Sequence, residues 1–484
     1  MKDILLSQLY LEGLEPTGAT KMISTMNPEE AHTEARRSLY DRFASRISVK
    51  ESLSRKLVSY QGNKEAPGLR WMKYKEGFSA RLVQSFLNQT EAKTFLDPFS
   101  GSGTAPLTAS RMGLDSTGIE IMPVGNLSAR AIVAAANGLH YRNFSHTSQE
   151  LIHSLSSNEY EVDQLFQHIP ITERAFPEQT EQDLAKARKY VAGIRDPSLK
   201  TLLTLACVSV LEEISYTRKD GQFLRWDPRS GRNVSPRLHK AELPTLTLAL
   251  QRRLGEIMDD IPALQEKYGG AEPALVDGSS LTELRKLPDE SFDAVVTSPP
   301  YANRYDYTRT YALELVYLGY DANRLKKLRQ DLLSATVENR SKRELLLREY
   351  GMAPLLEHAF GMVDKQSALQ EALHVLRQEA HNLSNRNVIS LVENYFTEMA
   401  LVVSELARLV SMGGSVFMVN DNVRYHGQEI PVDLILSDFA EQSGFRCEAI
   451  WTLNRGKGNS SQQMGRFGRQ ELRKCVYYWR KCNG

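Results

Sequence analysis

Cysteine is scarce in this chain of 484 residues and shows no metal-binding pattern. The four cysteines, Cys207, Cys447, Cys475 and Cys482, stand far apart, and no Cys-x-x-Cys pair occurs. That spacing argues against a structural zinc site and against a disulfide framework. The histidines show no metal-ligand spacing either, so we assign no metal site.

Long apolar runs are also missing. No stretch approaches the roughly 20 apolar residues that a membrane-spanning helix needs. No signal-like segment follows the first residues, Met1-Lys2-Asp3-Ile4. We therefore expect no membrane association and a cytoplasmic location.

An excess of charge of either sign is the third absence. The chain has 60 Lys and Arg against 59 Asp and Glu, which excludes a uniformly basic binder and an acidic disordered chain. The balance conceals three basic segments: 218–240 has seven Lys/Arg against two acids, 324–348 has eight against three, and 455–481 has eight against one. We interpret 324–348 as a solvated helix face, whereas the Arg- and Trp-bearing loop 218–240 favours phosphate contact.

What the chain does contain is an interrupted α/β pattern. An apolar run at 94–96 leads into a glycine loop, a helix at 105–112 and a second strand at 116–121. Further strands are predicted at 274–276, 292–297, 415–420, 446–453 and 474–480, with a helix at 432–442 before the last two. The intervening segments have a mainly helical pattern.

The loop from Asp97 to Thr104 (DPFSGSGT) joins a strand to a helix, and that context makes it a candidate ligand site. Glycine permits positive φ and close approach of the backbone, and free amides at a helix start favour an anionic group. Glu120 ends the next strand, where a carboxylate can accept both hydroxyls of a ribose. For the loop taken alone, a plain tight turn with a solvated glutamate is an equal alternative.

The tetrapeptide Ser298-Pro299-Pro300-Tyr301 follows another strand and predicts a rigid acceptor loop, because two prolines fix φ and remove two amide donors. Ser298 Oγ and the Pro299 carbonyl could take the protons of an exocyclic amine, and Tyr301 could stack on a planar ring. The alternative is a strand-ending turn with a packed tyrosine. Its position at the carboxyl end of a strand, in a sheet with a glycine loop, favours a ligand site.

Together, the motifs DPFSGSGT and TSPPY resemble those of the amino-methylating DNA methyltransferases, which form N4-methylcytosine or N6-methyladenine. The resemblance implies an α/β fold, a Rossmann-like seven-stranded methyltransferase sheet with large, mainly helical insertions, and S-adenosyl-L-methionine as the cofactor. The expected divisions are an N-terminal helical segment (1–68), core segments (69–140, 271–305 and 411–484), a candidate DNA-contacting insertion (141–270) and a candidate target-recognition insertion (306–410).

The resemblance also implies roles for individual residues. Glu120 would hold the ribose of the cofactor, and Asp277 would accept from its adenine amine. The rest of the cofactor site would comprise Lys75, Phe78, Asp97, Phe99, Ser100, Gly101, Gly103 and Thr104. Ser298, Pro299, Pro300 and Tyr301 would be catalytic, with direct transfer to the amine of a flipped base. Consistent with this, the Pro-Cys dipeptide of carbon-5 cytosine methylation is missing.

Serine at the first position of the tetrapeptide implies cytosine N4 rather than adenine N6 as the target. We therefore expect a site-specific DNA (cytosine-N4) methyltransferase of a restriction–modification system. The alternatives are an N6-adenine DNA methyltransferase, an RNA amino-methyltransferase and a non-enzymatic cofactor-binding regulator.

Double-stranded DNA is the expected partner. The predicted contacts are Arg225, Arg229 and Arg232 in the basic loop, and Arg304 and Arg309 in the Tyr- and Arg-rich stretch 301–311. Because the sequence shows no convincing nuclease constellation, DNA cleavage would require a separate restriction endonuclease.

Overall fold

Residues 34–156, 166–220, 223–227, 243–267, 271–453 and 472–482 are described by a computed structural model of the chain. The strands are β1 (Ile47–Val49), β2 (Thr94–Asp97), β3 (Asp115–Glu120), β4 (Thr217–Asp220), β5 (Phe223–Trp226), β6 (Ala274–Asp277), β7 (Phe292–Thr297), β8 (Val410–Asp421), β9 (Val423–Tyr425), β10 (Gln428–Ile430), β11 (Phe445–Thr452) and β12 (Lys474–Lys481).

The helices are α1 (Glu34–Phe43), α2 (Ala80–Leu87), α3 (Thr104–Arg111), α4 (Pro123–Ala136), α5 (Tyr141–Ser156), α6 (Glu178–Ala192), α7 (Pro197–Val210), α8 (Leu246–Lys267), α9 (Ser280–Glu283), α10 (Tyr307–Thr310), α11 (Ala312–Tyr317), α12 (Ala322–Asp331), α13 (Arg343–Tyr350), α14 (Pro354–Lys365), α15 (Ser367–Gln378), α16 (Val388–Leu409) and α17 (Val432–Gln442). Short 3₁₀ turns occur at Ala44–Arg46, Tyr60–Asn63 and Leu284–Lys286.

Eight strands of the described residues form one sheet, in the order β1-β11-β12-β8-β7-β2-β3-β6. Neighbouring strands are parallel except at β12, which runs antiparallel to β11 and to β8. Strand β3 pairs with one edge of β2, and strand β7 pairs with the other edge. The strand order therefore reverses between β2 and β7. Open α/β sheets bind ligands at such a reversal, beyond the carboxyl ends of their strands.

Both faces of the central strands are buried. In β7, Val295 packs into one hydrophobic core, whereas its neighbours Ala294 and Val296 pack into another. Alternate residues of β8 divide in the same way, with Met418 on the first side and Phe417 on the second. Because side chains alternate along a strand, a continuous apolar run fills two cores at once, which is typical of a sheet covered by helices.

The sheet has eight strands, not the seven that we predicted. The additional strand, β1, comes from the N-terminal segment, for which we predicted only helix. Ile47 pairs with Ile450 and Val49 with Thr452, so this strand depends on a partner near the other end of the chain. A strand of three residues is too short to show an alternating pattern in the sequence.

The two predicted insertions are mainly helical where the structure describes them. Helices α4 to α8 and the hairpin β4–β5 separate β3 from β6, and helices α10 to α16 separate β7 from β8. The hairpin occupies part of 217–240, where we predicted an irregular loop. None of the described helices is long and apolar enough to cross a membrane.

Candidate active site

The glycine loop and the Ser-Pro-Pro-Tyr loop meet at the carboxyl ends of β2 and β7. Asp97 ends β2, and its carboxylate accepts from the amide of Phe99 at 3.0 Å and from the hydroxyl of Thr297, the last residue of β7, at 2.6 Å. Burial raises the pKa of Asp97 to about 7, although both hydrogen bonds act to lower it. One carboxyl group therefore joins the two loops and titrates near neutral pH.

The glycine loop requires glycine at two positions. Gly101 and Gly103 adopt positive φ angles of 54° and 83°. A Cβ atom at position 101 would lie 2.9 Å from Cε1 of Tyr74, and one at position 103 would lie 2.6 Å from Cβ of Ala129. The loop thus adopts a backbone conformation that other residues disfavour, in a space where a side chain would clash.

Glu120 ends β3 and is held by the backbone on two sides. Its Oε2 accepts from the amide of Gly101 at 2.6 Å, and its Oε1 accepts from the amide of Met122 at 2.6 Å. Burial raises the pKa of Glu120 to about 7, and the amide hydrogen bonds oppose that shift. The carboxyl group is therefore fixed beside the glycine loop, with acceptor capacity left for a further donor.

A cleft with about 730 Å³ of empty space, part of it open to solvent, lies between these loops. The predicted cofactor residues that line it are Phe78, Asp97, Phe99, Ser100, Gly101, Thr104 and Glu120. Two residues of the predicted catalytic tetrapeptide, Ser298 and Pro300, line it as well. The structure thus brings both motifs to one cavity.

Three predicted cofactor residues, Lys75, Gly103 and Asp277, do not line the cleft. The ammonium of Lys75 donates to the carbonyl of Lys219 in the hairpin β4–β5, and burial lowers the pKa of Lys75. Asp277 ends β6 beside Glu120, but its carboxylate pairs with Arg130 at 2.9 Å, and 59% of its side chain is exposed. The cleft wall at this strand is instead formed by residues 279–281.

The predicted catalytic tetrapeptide contains an internal hydrogen bond. Ser298 Oγ donates to Tyr301 Oη at 3.3 Å. Nζ of Lys474, the first residue of β12, lies 5.8 Å from the centre of the Tyr301 ring. Burial raises the pKa of Tyr301, so its phenol is neutral at physiological pH. The Tyr301 ring therefore lies near the start of the antiparallel strand β12.

Sequence comparison finds curated relatives along nearly the whole chain. The chain is 41% identical over 469 residues to the type II methyltransferase M.BsoBI of Geobacillus stearothermophilus, and 90% of each protein is covered. It is 40% identical over 461 residues to the type II methyltransferase M.AvaI of Nostoc sp., which covers 92% of the chain and 93% of the relative. The chain belongs to the type II DNA methyltransferases. No family model matches it, and neither does any solved structure.

As a type II DNA methyltransferase, the chain uses S-adenosylmethionine, and the cleft fits this cofactor. The backbone at Gly101 leaves a cradle that a Cβ atom would fill. Glu120 offers carboxylate oxygens to hydroxyl donors, and Phe78, Phe99 and Ile121 supply apolar wall for a planar base. The cleft of this methyltransferase therefore has the polar and apolar surfaces that an adenosyl group with an amino-acid tail requires.

Our sequence predictions omit many residues of the methyltransferase cleft, and four residues in or beside it bear on its architecture. Asn63 Nδ2 donates to the Phe78 carbonyl at 2.9 Å and to Thr104 Oγ1 at 3.3 Å, so it ties the preceding segment to the glycine loop. The other three are Glu76, Ser280 and Tyr307, which line the cleft. Tyr307 lies in the Tyr-rich stretch after the tetrapeptide, which is a signal that could have identified it, whereas the other three carry no motif.

Arg304 and Arg309, two of the predicted DNA contacts, have different surroundings. Arg304 lies three residues after Tyr301, has a positive φ of 67°, and places its guanidinium 5.9 Å from the centre of the Tyr425 ring. Arg309 pairs with Asp306 at 3.3 Å and with Glu338. Strained backbone of the kind seen at Arg304 occurs often at functional sites.

The hairpin β4–β5 carries a third predicted contact, Arg225. This residue is exposed, and its guanidinium lies 5.7 Å from the centre of the Phe223 ring. Lys219 of the same hairpin donates to Glu314 at 2.6 Å, and each of these side chains is 2% exposed, so the pair anchors the hairpin to the segment after the tetrapeptide. Arg229, Arg232 and most of the basic segment 455–481 lie outside the described residues.

Proposed function

We propose that this type II methyltransferase methylates the N4 amine of cytosine at a specific site in double-stranded DNA. Serine at position 298 supports cytosine over adenine, through the resemblance described above. The observation that carries the proposal is the hydrogen bond from Ser298 Oγ to Tyr301 Oη. A hydroxyl has one hydrogen and two lone pairs, so Ser298 Oγ can accept from an amine while it donates to the phenol.

The catalytic loop would act by orienting the amine of a flipped base. Ser298 Oγ and the Pro299 carbonyl accept the two amine protons, which turns the nitrogen lone pair toward the cofactor cleft. Pro300 keeps the loop rigid, and Tyr301 presents a ring on which the base can stack. S-adenosylmethionine supplies the methyl group when it is bound. The amine itself is the nucleophile, so the chain needs no nucleophilic side chain.

The proposed cofactor position is the cleft between the two loops. Glu120 would accept from the ribose hydroxyls, and Asp97 and the loop from Ser100 to Thr104 would surround the methionine part. These roles are supported by the common cavity that the residues line. The predicted roles of Lys75 and Asp277 lack that support, and the cleft wall favours Ser280 in place of Asp277.

Phosphate contacts are proposed for Arg225 on the hairpin and Arg304 beside the catalytic loop. The exposure of Arg225 supports its role, and the position of Arg304 near the tetrapeptide supports the other contact. A separate restriction endonuclease that cuts the same site is proposed as the biological partner, since both relatives are named as type II methyltransferases.

Incubation with S-adenosylmethionine and either DNA or RNA, followed by nucleoside mass spectrometry, tests the proposal. We expect N4-methylcytosine in DNA and no methylated base in RNA. If N6-methyladenine were the only product, the assignment of the base would be wrong. Methylation of RNA alone would contradict the assignment of DNA as the substrate.

A further inference from the structure

The wall of the proposed cofactor cleft is acidic. Three carboxyl groups line it, those of Glu76, Asp97 and Glu120, and its lining within the described residues includes no Lys, Arg or His. Asp97 and Glu120 end strands of the sheet and belong to the predicted site, whereas Glu76 does not. In a partly desolvated cleft, such carboxylates attract a cation more strongly than they would in water.

Glu76 is oriented by two phenol groups. Tyr311 Oη donates to its Oε2 at 2.6 Å, and Tyr305 Oη donates to its Oε1. Neutral donors position a carboxylate without cancelling its charge, and each oxygen retains a lone pair for a further partner. The nearby ammonium of Lys219 is already paired with Glu314 at 2.6 Å. The two donors therefore fix the position of the Glu76 carboxyl group at the cleft wall.

Glu76 approaches the cleft from the catalytic side. Both tyrosines that hold it follow the tetrapeptide, and Tyr307 of the same segment lines the cleft together with Ser298. The reacting sulfur centre of the cofactor has to lie toward Ser298, because the methyl group must reach an amine held there. Glu76 is thus held by the segment that follows the tetrapeptide, whereas Asp97 and Glu120 stand at the strand ends.

We propose that Glu76 stabilises the sulfonium charge of S-adenosylmethionine and makes the cleft discriminate against the demethylated product. S-adenosylhomocysteine is a neutral thioether at that sulfur and otherwise has the same groups. A carboxylate that faces the sulfur therefore stabilises the first ligand and not the second. This inference rests on the cofactor cleft proposed above, but it does not depend on which base is methylated.

Isothermal titration calorimetry without DNA, on the unmutated protein and on Glu76→Gln, tests the inference. We expect the Kd of S-adenosylmethionine to rise roughly tenfold and that of S-adenosylhomocysteine to change less than about twofold. Glu120→Gln is a comparison within the cleft and should weaken both ligands by a similar factor, because the ribose is common to them. Glu266→Gln, at an exposed position of α8, should change neither.

Equal weakening of both ligands by Glu76→Gln would overturn the role of Glu76 and leave the cofactor cleft intact. Binding of neither ligand by the unmutated protein would overturn the cleft as well. Thermal unfolding checks that the variant folds. If it does not, Glu76→Asp is the second variant: it keeps an acceptor for the two phenols and, by drawing the carboxylate back from the cleft, should still weaken S-adenosylmethionine more than S-adenosylhomocysteine.

Discussion

The proposed cofactor side and the proposed DNA side of the active site are built in different ways. On the cofactor side, Asp97 and Glu120 end neighbouring parallel strands and line one cleft with the glycine loop. On the DNA side, Arg225 and Arg309 come from two separate insertions, and Arg309 is already paired with acidic residues. The sheet therefore fixes the first set of residues, whereas the packing of insertions decides the second.

The difference has a physical origin. Neighbouring strands lie about 4.8 Å apart, so loops that follow adjacent parallel strands are brought together by the backbone pairing itself. Arginine contacts to phosphate depend on charge at the end of a long side chain and tolerate variation in position. A local motif therefore identifies a cofactor loop more reliably than it identifies a DNA contact.

Ser298→Ala should have the largest effect, because it removes an acceptor for the target amine and leaves the cofactor loop untouched. We expect methyl transfer to fall on the order of 100-fold or more, with the Kd of S-adenosylmethionine changed less than about twofold. Single-turnover transfer of labelled methyl to DNA and calorimetry measure the two quantities. Ser291→Ala, whose hydroxyl donates to the Pro288 carbonyl, is the control. Parallel loss of cofactor binding would mean that the two sides are not separable.

Gly103→Ala should disturb the glycine loop for two reasons. Alanine disfavours the positive φ at this position, and its Cβ atom would clash with Ala129. The matched control is Gly113→Ala, where φ is 89° but a Cβ atom would meet nothing within 4 Å. We expect Gly113→Ala to lower the free energy of unfolding by about 1–2 kcal/mol. Gly103→Ala should lower it further and also weaken S-adenosylmethionine binding. Denaturant unfolding and calorimetry measure both, and equal effects of the two variants would contradict the need for a compact loop.

Cofactor affinity should depend on pH, because burial raises the pKa of Asp97 and that of Glu120 to about 7. A ligand that donates hydrogen bonds to these groups favours the ionised carboxylates, so binding releases protons. Affinity for S-adenosylmethionine should therefore rise from pH 5.5 and level off above about pH 7, by roughly tenfold for one fully linked carboxyl group. Calorimetry across this range measures the slope, and Asp97→Asn should reduce it. A flat profile would mean that neither carboxyl group titrates on binding.

The DNA side should show the smallest effects. Arg225→Gln should reduce the slope of log K against log salt by about 1, the expectation for one lost phosphate contact. Arg309→Gln should change it less, because Asp306 and Glu338 already neutralise that guanidinium. Fluorescence anisotropy with a duplex containing the recognition site, over a range of salt concentrations, measures both. An effect of Arg309→Gln larger than that of Arg225→Gln would reverse the assignment.

Much of the cofactor side could be predicted from the sequence because each element there has a local signal. Asp97 and Glu120 end predicted strands, Gly101 lies in the glycine loop, and the structure places all three at one cleft. Ser298 lies at the same cleft for the same reason. The family assignment to DNA methyltransferases, made from these motifs, is confirmed by the relatives.

The remainder depends on contacts between distant segments. Glu76 and Ser280 line the cleft, and Asn63 is tied to the glycine loop, through packing between distant segments. The edge strand β1 forms only because β11 offers it a partner. For Asp277 the local signal was present but the predicted contact was not. Asp277 ends β6, as expected, but its carboxylate pairs with Arg130 at the surface and does not line the cleft.

A crystal structure of the chain with S-adenosylmethionine tests the central claim most directly. The account predicts density for the cofactor in the cleft, with the ribose at Glu120, the methionine part along the loop from Ser100 to Thr104, and the methyl group facing Ser298. Density at any other place, or a methyl group that faces away from the tetrapeptide, would contradict it.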